Sequence, residues 1–114
     1  MAAFEVITSC NIGQAQSGNS QFLYIQVSVT HAGKPATGLS KQQVTFRALT
    51  VGPNGYDIVW NPNPHGYWEN APGYYLVDVI PANNGTWSKG TWVVAIIVAD
   101  GNNHGQSLAS FTIP

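Results

Sequence analysis

Charged side chains are scarce in this chain. Asp, Glu, Lys and Arg make up only 8% of its 114 residues, against roughly 25% in an average soluble domain. Phosphate binding needs a cluster of basic side chains, whereas the basic residues here are scattered along the sequence: Lys34, Lys41, Arg47 and Lys89. The composition therefore predicts that nucleic acid is not a partner, and it disfavours an anionic membrane surface for the same reason.

Cysteine and long apolar runs are also scarce. Cys10 is the only cysteine, so the chain forms no internal disulfide and carries no CxxC metal or redox motif. A lone thiol on a strand is typically a small buried hydrophobic side chain rather than a nucleophile. The longest apolar run, residues 92–99, is too short to span a bilayer, and no signal-peptide pattern is visible at the N-terminus. We therefore expect no membrane insertion.

Motifs for catalysis and metal binding are missing as well. His31, His65 and His104 fall in predicted turns without HxH or HExxH spacing, the acidic residues are dispersed, and no GxSxG elbow occurs. The segment DGNNHG, which begins at Asp100, lacks the further acidic ligands of a calcium loop and is predicted to be a hairpin tip. The sequence therefore predicts a protein that is not an enzyme and that has no metal site and no cofactor.

Neutral polar residues take the place of the missing charges. Asn, Gln, Ser, Thr and Gly are abundant, and a net charge of −1 gives little repulsion between copies. Such a surface suits either another protein, including a second copy, or polar uncharged ligands such as sugars. A composition of this kind is also common in extracellular, virion and fibre proteins, which favours a surface-associated or particle-associated location.

Short stretches with a period of two predict an all-β fold. In residues 22–30, FLYIQVSVT, the apolar side chains alternate with polar ones and share one face. No segment has a helical period over ten residues. The predicted strands are residues 4–8, 22–30, 44–50, 57–60, 74–80, 92–99 and 107–113. About seven short strands separated by turn residues indicate a single domain, residues 1–114, folded as an antiparallel sandwich.

Two runs of the chain carry a resemblance to a known family. The run LYIQVSVTHAGKPATGLSKQQVTFRAL resembles bacterial Ig-like domains, in which an apolar strand ends in a turn with GKP and is followed by TGLS and a second strand. The run APGYYLVDVIPANNGTWSKGTWVVAIIVADGNNHGQSLASFTIP is similar to the ending of filamin-type and other early-set Ig-like domains. The resemblance covers residues 22–114 and implies an immunoglobulin-like antiparallel β-sandwich.

The same resemblance implies several functions. Ig-like domains of this kind serve as spacers in adhesins, as interaction modules, and as carbohydrate-binding or virion-decorating parts, and the fold does not choose among them. No cysteine pair bridges the sheets, and residues 52–71 are longer and more aromatic than the family pattern needs. The family's resemblance therefore does not imply antibody-type ligand loops.

Aromatic residues concentrate in residues 55–75, GYDIVWNPNPHGYWENAPGYY. Outside this stretch, Trp92 is predicted to lie in the core, because VVAII follows it, and Trp87 is predicted to be a structural plug at one end of the sandwich. Within the stretch, aromatic side chains flank NPNPHG, whose prolines restrict the backbone. The candidate contact residues are Trp60, Asn63, His65, Tyr67 and Trp68.

The aromatic loop NPNPHGYWEN, residues 61–70, has three interpretations. The preferred one is a contact surface for a protein partner or a second copy, because a neutral apolar surface does not resist association. The alternative is a carbohydrate-binding module that uses residues 60–69, with aromatic faces for stacking on a sugar ring and amide groups for its hydroxyls. The third is structural packing at the end of the sandwich.

Overall fold

The backbone forms an all-β sandwich. The structure is a computed structural model that describes residues 3–49, 57–62 and 66–114. In these residues it contains nine strands and no helix: β1 Phe4–Asn11, β2 Leu23–His31, β3 Lys34–Pro35, β4 Val44–Ala48, β5 Ile58–Trp60, β6 Tyr67–Ala71, β7 Tyr74–Pro81, β8 Gly90–Asp100 and β9 Asn103–Ile113. The predicted antiparallel sandwich is confirmed, with nine strands rather than about seven because β3 and β6 were not predicted.

Two antiparallel sheets pack face to face. The larger has the order β1-β2-β7-β5, with β3 paired to β2 and β6 paired to β7, and the smaller has the order β4-β8-β9. Strands β1 and β9 also meet, through a parallel bridge between Ala3 and His104 and a 2.8 Å bond that Thr8 Oγ1 donates to the Leu108 carbonyl. One side of the sandwich is thereby nearly closed.

The core lies between the sheets and follows the predicted alternation. Each of its main residues is at most 5% exposed: Leu23, Ile25, Val27 and Val29 of β2, Tyr75, Val77 and Val79 of β7, Trp92, Val94, Ile96 and Val98 of β8, and Ala109, Phe111 and Ile113 of β9. Burial of one face fixes the register, because a slip of one residue would turn this whole set toward solvent. The neighbouring side chains on the same strands therefore form the two outer faces of the sandwich.

Strands β5 and β6 are two halves of one edge strand. Both pair with β7, β5 with its C-terminal half and β6 with its N-terminal half. Between them the main chain of Asp78 bonds both sides of the interruption: its N–H donates to the Gly66 carbonyl and its carbonyl accepts from the Asn61 N–H, each at 2.9 Å. The aromatic loop predicted for residues 61–70 is therefore shorter than expected, because Tyr67–Ala71 continues the edge strand.

Tight turns join the hairpins of both sheets. Asp100 pairs with Asn103, and Gly101 between them has φ of 62°, as the first central residue of a type II′ turn requires. The predicted hairpin tip in DGNNHG is thus confirmed. The β6–β7 hairpin turns at Gly73, where φ is 72° and an added Cβ would lie 2.8 Å from the Val29 carbonyl oxygen. Only glycine fits this approach of the turn to β2.

Candidate functional site

Trp60 and Tyr67 lie on the inner side of the broken edge strand. Their rings meet edge to face with centroids 5.4 Å apart, and Trp60 also contacts Phe46 of the opposite sheet at 4.7 Å. The ammonium of Lys41 lies 4.9 Å from the centroid of the Trp60 ring, which is cation–π distance. Both candidate residues are half-buried, so the protein itself occupies much of their ring surface.

The hydroxyl groups of Tyr67 and Tyr75 bind the crossing between β3 and β4, which comprises residues 36–43. The two rings stack at 5.7 Å, and Tyr67 Oη donates a 2.6 Å bond to the Leu39 carbonyl. Tyr75 Oη donates to the Ala36 carbonyl at 2.7 Å and accepts from the Leu39 N–H at 3.1 Å. Burial raises the pKa of both phenols, so they are neutral hydrogen-bonding groups at ordinary pH. The arrangement is structural.

Trp68 faces the opposite way from Tyr67, because successive residues of a strand point to opposite faces. Its ring meets Tyr24 edge to face at 6.2 Å, and Tyr24 in turn meets Phe22 at 5.3 Å. All three rings are half-buried on the outer face of the larger sheet. The structure therefore does not combine Trp68 with Trp60 and Tyr67 in one surface.

Two of the predicted contact residues, Asn63 and His65, lie outside the described residues. The part of the predicted loop that is described is held from both ends, because Asn61 and Gly66 are buried and bond the main chain of Asp78. Ligand or partner contact by Trp60, Asn63, His65, Tyr67 and Trp68 stays a prediction.

The remaining tryptophans are structural, as predicted. Trp87 and Trp92 are 1% and 2% exposed and meet edge to face at 5.2 Å. Each indole N–H has a main-chain acceptor: Trp87 Nε1 donates to the Gln21 carbonyl at 2.7 Å, and Trp92 Nε1 donates to the Ser88 carbonyl at 3.0 Å. Buried tryptophan with a satisfied N–H is a packing group. Neither ring is available to a ligand.

Cys10 behaves as the sequence predicted for a lone thiol. It is half-buried on β1 and forms no disulfide, and burial raises its pKa to about 11, partly offset by a hydrogen bond with the Ser110 main chain. A thiol with this pKa is almost entirely protonated near pH 7, whereas nucleophilic cysteines have lowered pKa values. Cys10 is therefore a poor nucleophile.

The outer face of the smaller sheet is a surface that the sequence did not single out. We call it the β4-β8-β9 face; its outward residues are Thr45, Arg47, Leu49, Thr91, Val93, Ala95, Ile97, Ala99, His104, Gln106, Leu108, Ser110 and Thr112. Three large apolar side chains on it are exposed, Leu49 by 57%, Ile97 by 42% and Leu108 by 62%. Arg47 is the only Asp, Glu, Lys or Arg among these described residues.

The centre of the β4-β8-β9 face is concave. Ala95 lies opposite Arg47 on β4 and Leu108 on β9, and Leu49 is tied to the same region by a 2.8 Å bond from its N–H to the Val93 carbonyl. Because Ala95 is small and its neighbours are large, Leu49, Ala95 and Leu108 line a depression of about 390 Å³. An apolar side chain from outside would fit into it.

Elsewhere the described part of the chain offers little that is chemically reactive. No three His, Cys, Asp or Glu side chains within residues 3–49, 57–62 and 66–114 converge on a point that could hold a metal ion. Over the same residues no helix has the length and hydrophobicity needed to cross a bilayer.

Comparison of the chain with protein-family models, with curated proteins and with solved structures gives no match. The Ig-like family therefore stays a prediction.

Proposed function

We propose that this domain is an Ig-like, non-catalytic assembly module that associates with a second copy of itself through the β4-β8-β9 face. The observation that supports the proposal is the composition of β8. Its residues 92–98 are apolar on both faces, which is typical of strands that are covered on both sides. Within the described chain, however, only the inner face of β8 is covered, and Ile97 projects outward, diagonally across from Leu108 of β9.

A second copy is the partner that fits this face best. The face is nearly uncharged, and a chain with a net charge of −1 does not repel another copy. In a two-fold contact, the exposed Leu108 of each copy would enter the depression over Ala95 of the other. In such an isologous contact each copy offers the same patch to the other. A charged partner would leave its own charges unpaired on this surface.

The size of the face predicts a weak dimer. Strands β8 and β9 have 11 residues each and β4 has five. At about 3.4 Å per residue and about 4.8 Å between strands, they offer roughly 400 Å² per copy, about half of a standard interface. Interfaces of this small size are typical of weak, transient association, so we expect a dissociation constant of about 0.1 to 1 mM.

Sedimentation equilibrium with a charged variant tests the proposal. Leu108→Glu places a carboxylate in the centre of the contact, so the variant should remain monomeric at concentrations where the wild type associates. Ile7→Glu is the matched control, because Ile7 is 71% exposed on the outer face of the other sheet, and it should associate like the wild type. A wild type that stays monomeric up to about 2 mM, or equal loss of association in both variants, contradicts the proposal.

A further variant separates this proposal from the contact surface predicted around the aromatic loop. Trp68 lies on the larger sheet beside Tyr24, so Trp68→Ala should leave association through the β4-β8-β9 face unchanged. If Trp68→Ala abolishes association while Leu108→Glu does not, the loop is the contact and the β4-β8-β9 face is not.

A further inference from the structure

A groove crosses the outer face of the larger sheet, on the opposite side of the molecule from the β4-β8-β9 face. Ile7 of β1, Ser28 of β2 and Tyr74 of β7 lie opposite one another in register. Because Ser28 is small and stands between two large side chains, the surface dips along β2. The resulting depression has a volume of about 400 Å³, within the range of about 300 to 1,000 Å³ for small-molecule sites.

The floor of the groove offers neutral hydrogen-bonding groups. Ser9 Oγ donates a 2.6 Å bond to Gln26 Oε1, which orients the amide and leaves its N–H₂ group, with two donors, directed away from Ser9. The Ser28 hydroxyl, two residues along β2 from Gln26 on the same face, adds a donor and an acceptor. The residues that line the groove, which also include Pro72, carry no Asp, Glu, Lys, Arg or His side chain.

We propose that this groove binds a neutral sugar. Tyr74 and Ile7 form apolar walls for the C–H surface of a pyranose ring, and Gln26, Ser28 and Ser9 offer partners to its hydroxyl groups. Apolar walls with a few convergent polar groups are the usual composition of such sites. An anionic ligand finds no cation in the lining, and a cationic ligand finds no carboxylate.

The backbone around the groove favours a sugar over a peptide strand. Strand β2, which forms the floor, is already hydrogen-bonded on both sides, to β1 and to β7. An extended peptide gains most of its affinity by adding to a free sheet edge, and β2 offers none. The ligand must therefore be recognised through side chains, as a sugar is.

Chemical-shift titration of the ¹⁵N-labelled protein tests the site. The probes are neutral oligosaccharides of glucose, galactose, mannose and N-acetylglucosamine at up to about 10 mM, enough to detect a dissociation constant of about 1 mM. At least one should shift the amide signals of Ile7, Gln26, Ser28 and Tyr74. Shifts elsewhere, or no shift with any of these sugars, would overturn the proposal.

Two variants of β2 make the test specific. Ser28→Ile fills the floor of the groove with a side chain that strands favour, so it should weaken sugar binding at least about tenfold. Thr30→Ile is the matched control, because Thr30 lies on the same strand and face but outside the groove lining, and it should bind like the wild type. If Ser28→Ile does not fold, Gln26→Leu serves in its place. Unchanged binding by the folded groove variant would overturn the assignment, whatever the result for self-association.

Discussion

Replacing Tyr75 with Phe removes one hydroxyl from the junction between β7 and the crossing that leads from β3 to β4. That hydroxyl serves two main-chain groups at once, the Ala36 carbonyl at 2.7 Å and the Leu39 N–H at 3.1 Å. Tyr75 is fully buried, and the bond to Leu39 is buried as well. The substitution therefore leaves a donor and an acceptor without their partner, while the ring keeps its place.

The size of the effect follows from the cost of an unsatisfied buried group, about 1 to 3 kcal/mol. Ala36 is half-buried, so water reaches its carbonyl more easily than it reaches the Leu39 N–H. We expect a total loss of about 2 to 3 kcal/mol in the free energy of unfolding. At about 4 °C per kcal/mol for a domain of this size, the Tm falls by about 8 to 12 °C.

Urea unfolding followed by tryptophan fluorescence measures this loss. Tyr24→Phe is the matched control: Tyr24 lies half-buried on the outer face of the larger sheet, and the same chemical change there should cost less than about 0.5 kcal/mol. Tyr67→Phe, which removes only the bond to the Leu39 carbonyl, should cost about 1 kcal/mol. If Tyr75→Phe is no more destabilising than Tyr24→Phe, the hydroxyl does not hold the crossing and the reasoning is wrong.

Three further predictions concern β1 and its contact with β9. Since burial raises the pKa of Cys10 to about 11, roughly 0.1% of this thiol is ionised at pH 8, against about a quarter for an ordinary cysteine. The reaction of Cys10 with a thiol reagent should therefore be more than a hundredfold slower in the folded protein than in the unfolded chain. Equal rates in the two states would refute the prediction. Because the pKa of Cys10 is lower in the unfolded chain than in the folded protein, the free energy of unfolding should fall as pH rises from about 9 to about 11. Cys10→Ser should reduce that fall. An identical pH profile in the variant would contradict this. At Gly105, an added Cβ would overlap the Phe4 carbonyl oxygen, so Gly105→Ala should cost about 1 to 3 kcal/mol in thermal or urea unfolding, and a neutral result would show that β1 and β9 separate easily.

The sequence predicted the central strands well because their alternation is strong. In β2 and β7 every second side chain is buried against the opposite sheet. The alternation of apolar residues in the sequence therefore follows directly from which side chains are buried. The turn at Gly101 and the burial of Trp87 and Trp92 were predicted for similar reasons: each depends on local residues whose conformational or packing preference is strong.

The edge of the larger sheet could not be predicted in the same way. The residues NPNPHG have turn chemistry, and the YWENA segment that follows has no alternation because Tyr67 and Trp68 are both large and aromatic. Its strand forms only because β7 offers a free edge, and that tertiary partner leaves no sign in the local sequence. The strand places Tyr67 inside and Trp68 outside, which divides the predicted contact residues between two environments.

The β4-β8-β9 face was missed for a different reason. An apolar run such as residues 92–99 is typical of a strand that is covered on both sides. The sequence alone therefore does not show that one face of this strand is exposed. Only the arrangement of the sheets reveals that, in the described part of the chain, Leu49, Ile97 and Leu108 have no cover. The groove over Ser28 likewise depends on the register of three strands.

Concentration-dependent NMR tests the central claim most directly, because it locates the contact in the wild-type chain. On dilution from about 1 mM to about 0.05 mM, the range in which a weak dimer dissociates, amide signals of β4, β8 and β9 around Leu49, Ala95 and Leu108 should move together. Signals on the outer face of the larger sheet, at Gln26 and Ser28, should stay constant. Spectra that do not change with concentration, or changes confined to the larger sheet, would contradict assembly through the β4-β8-β9 face.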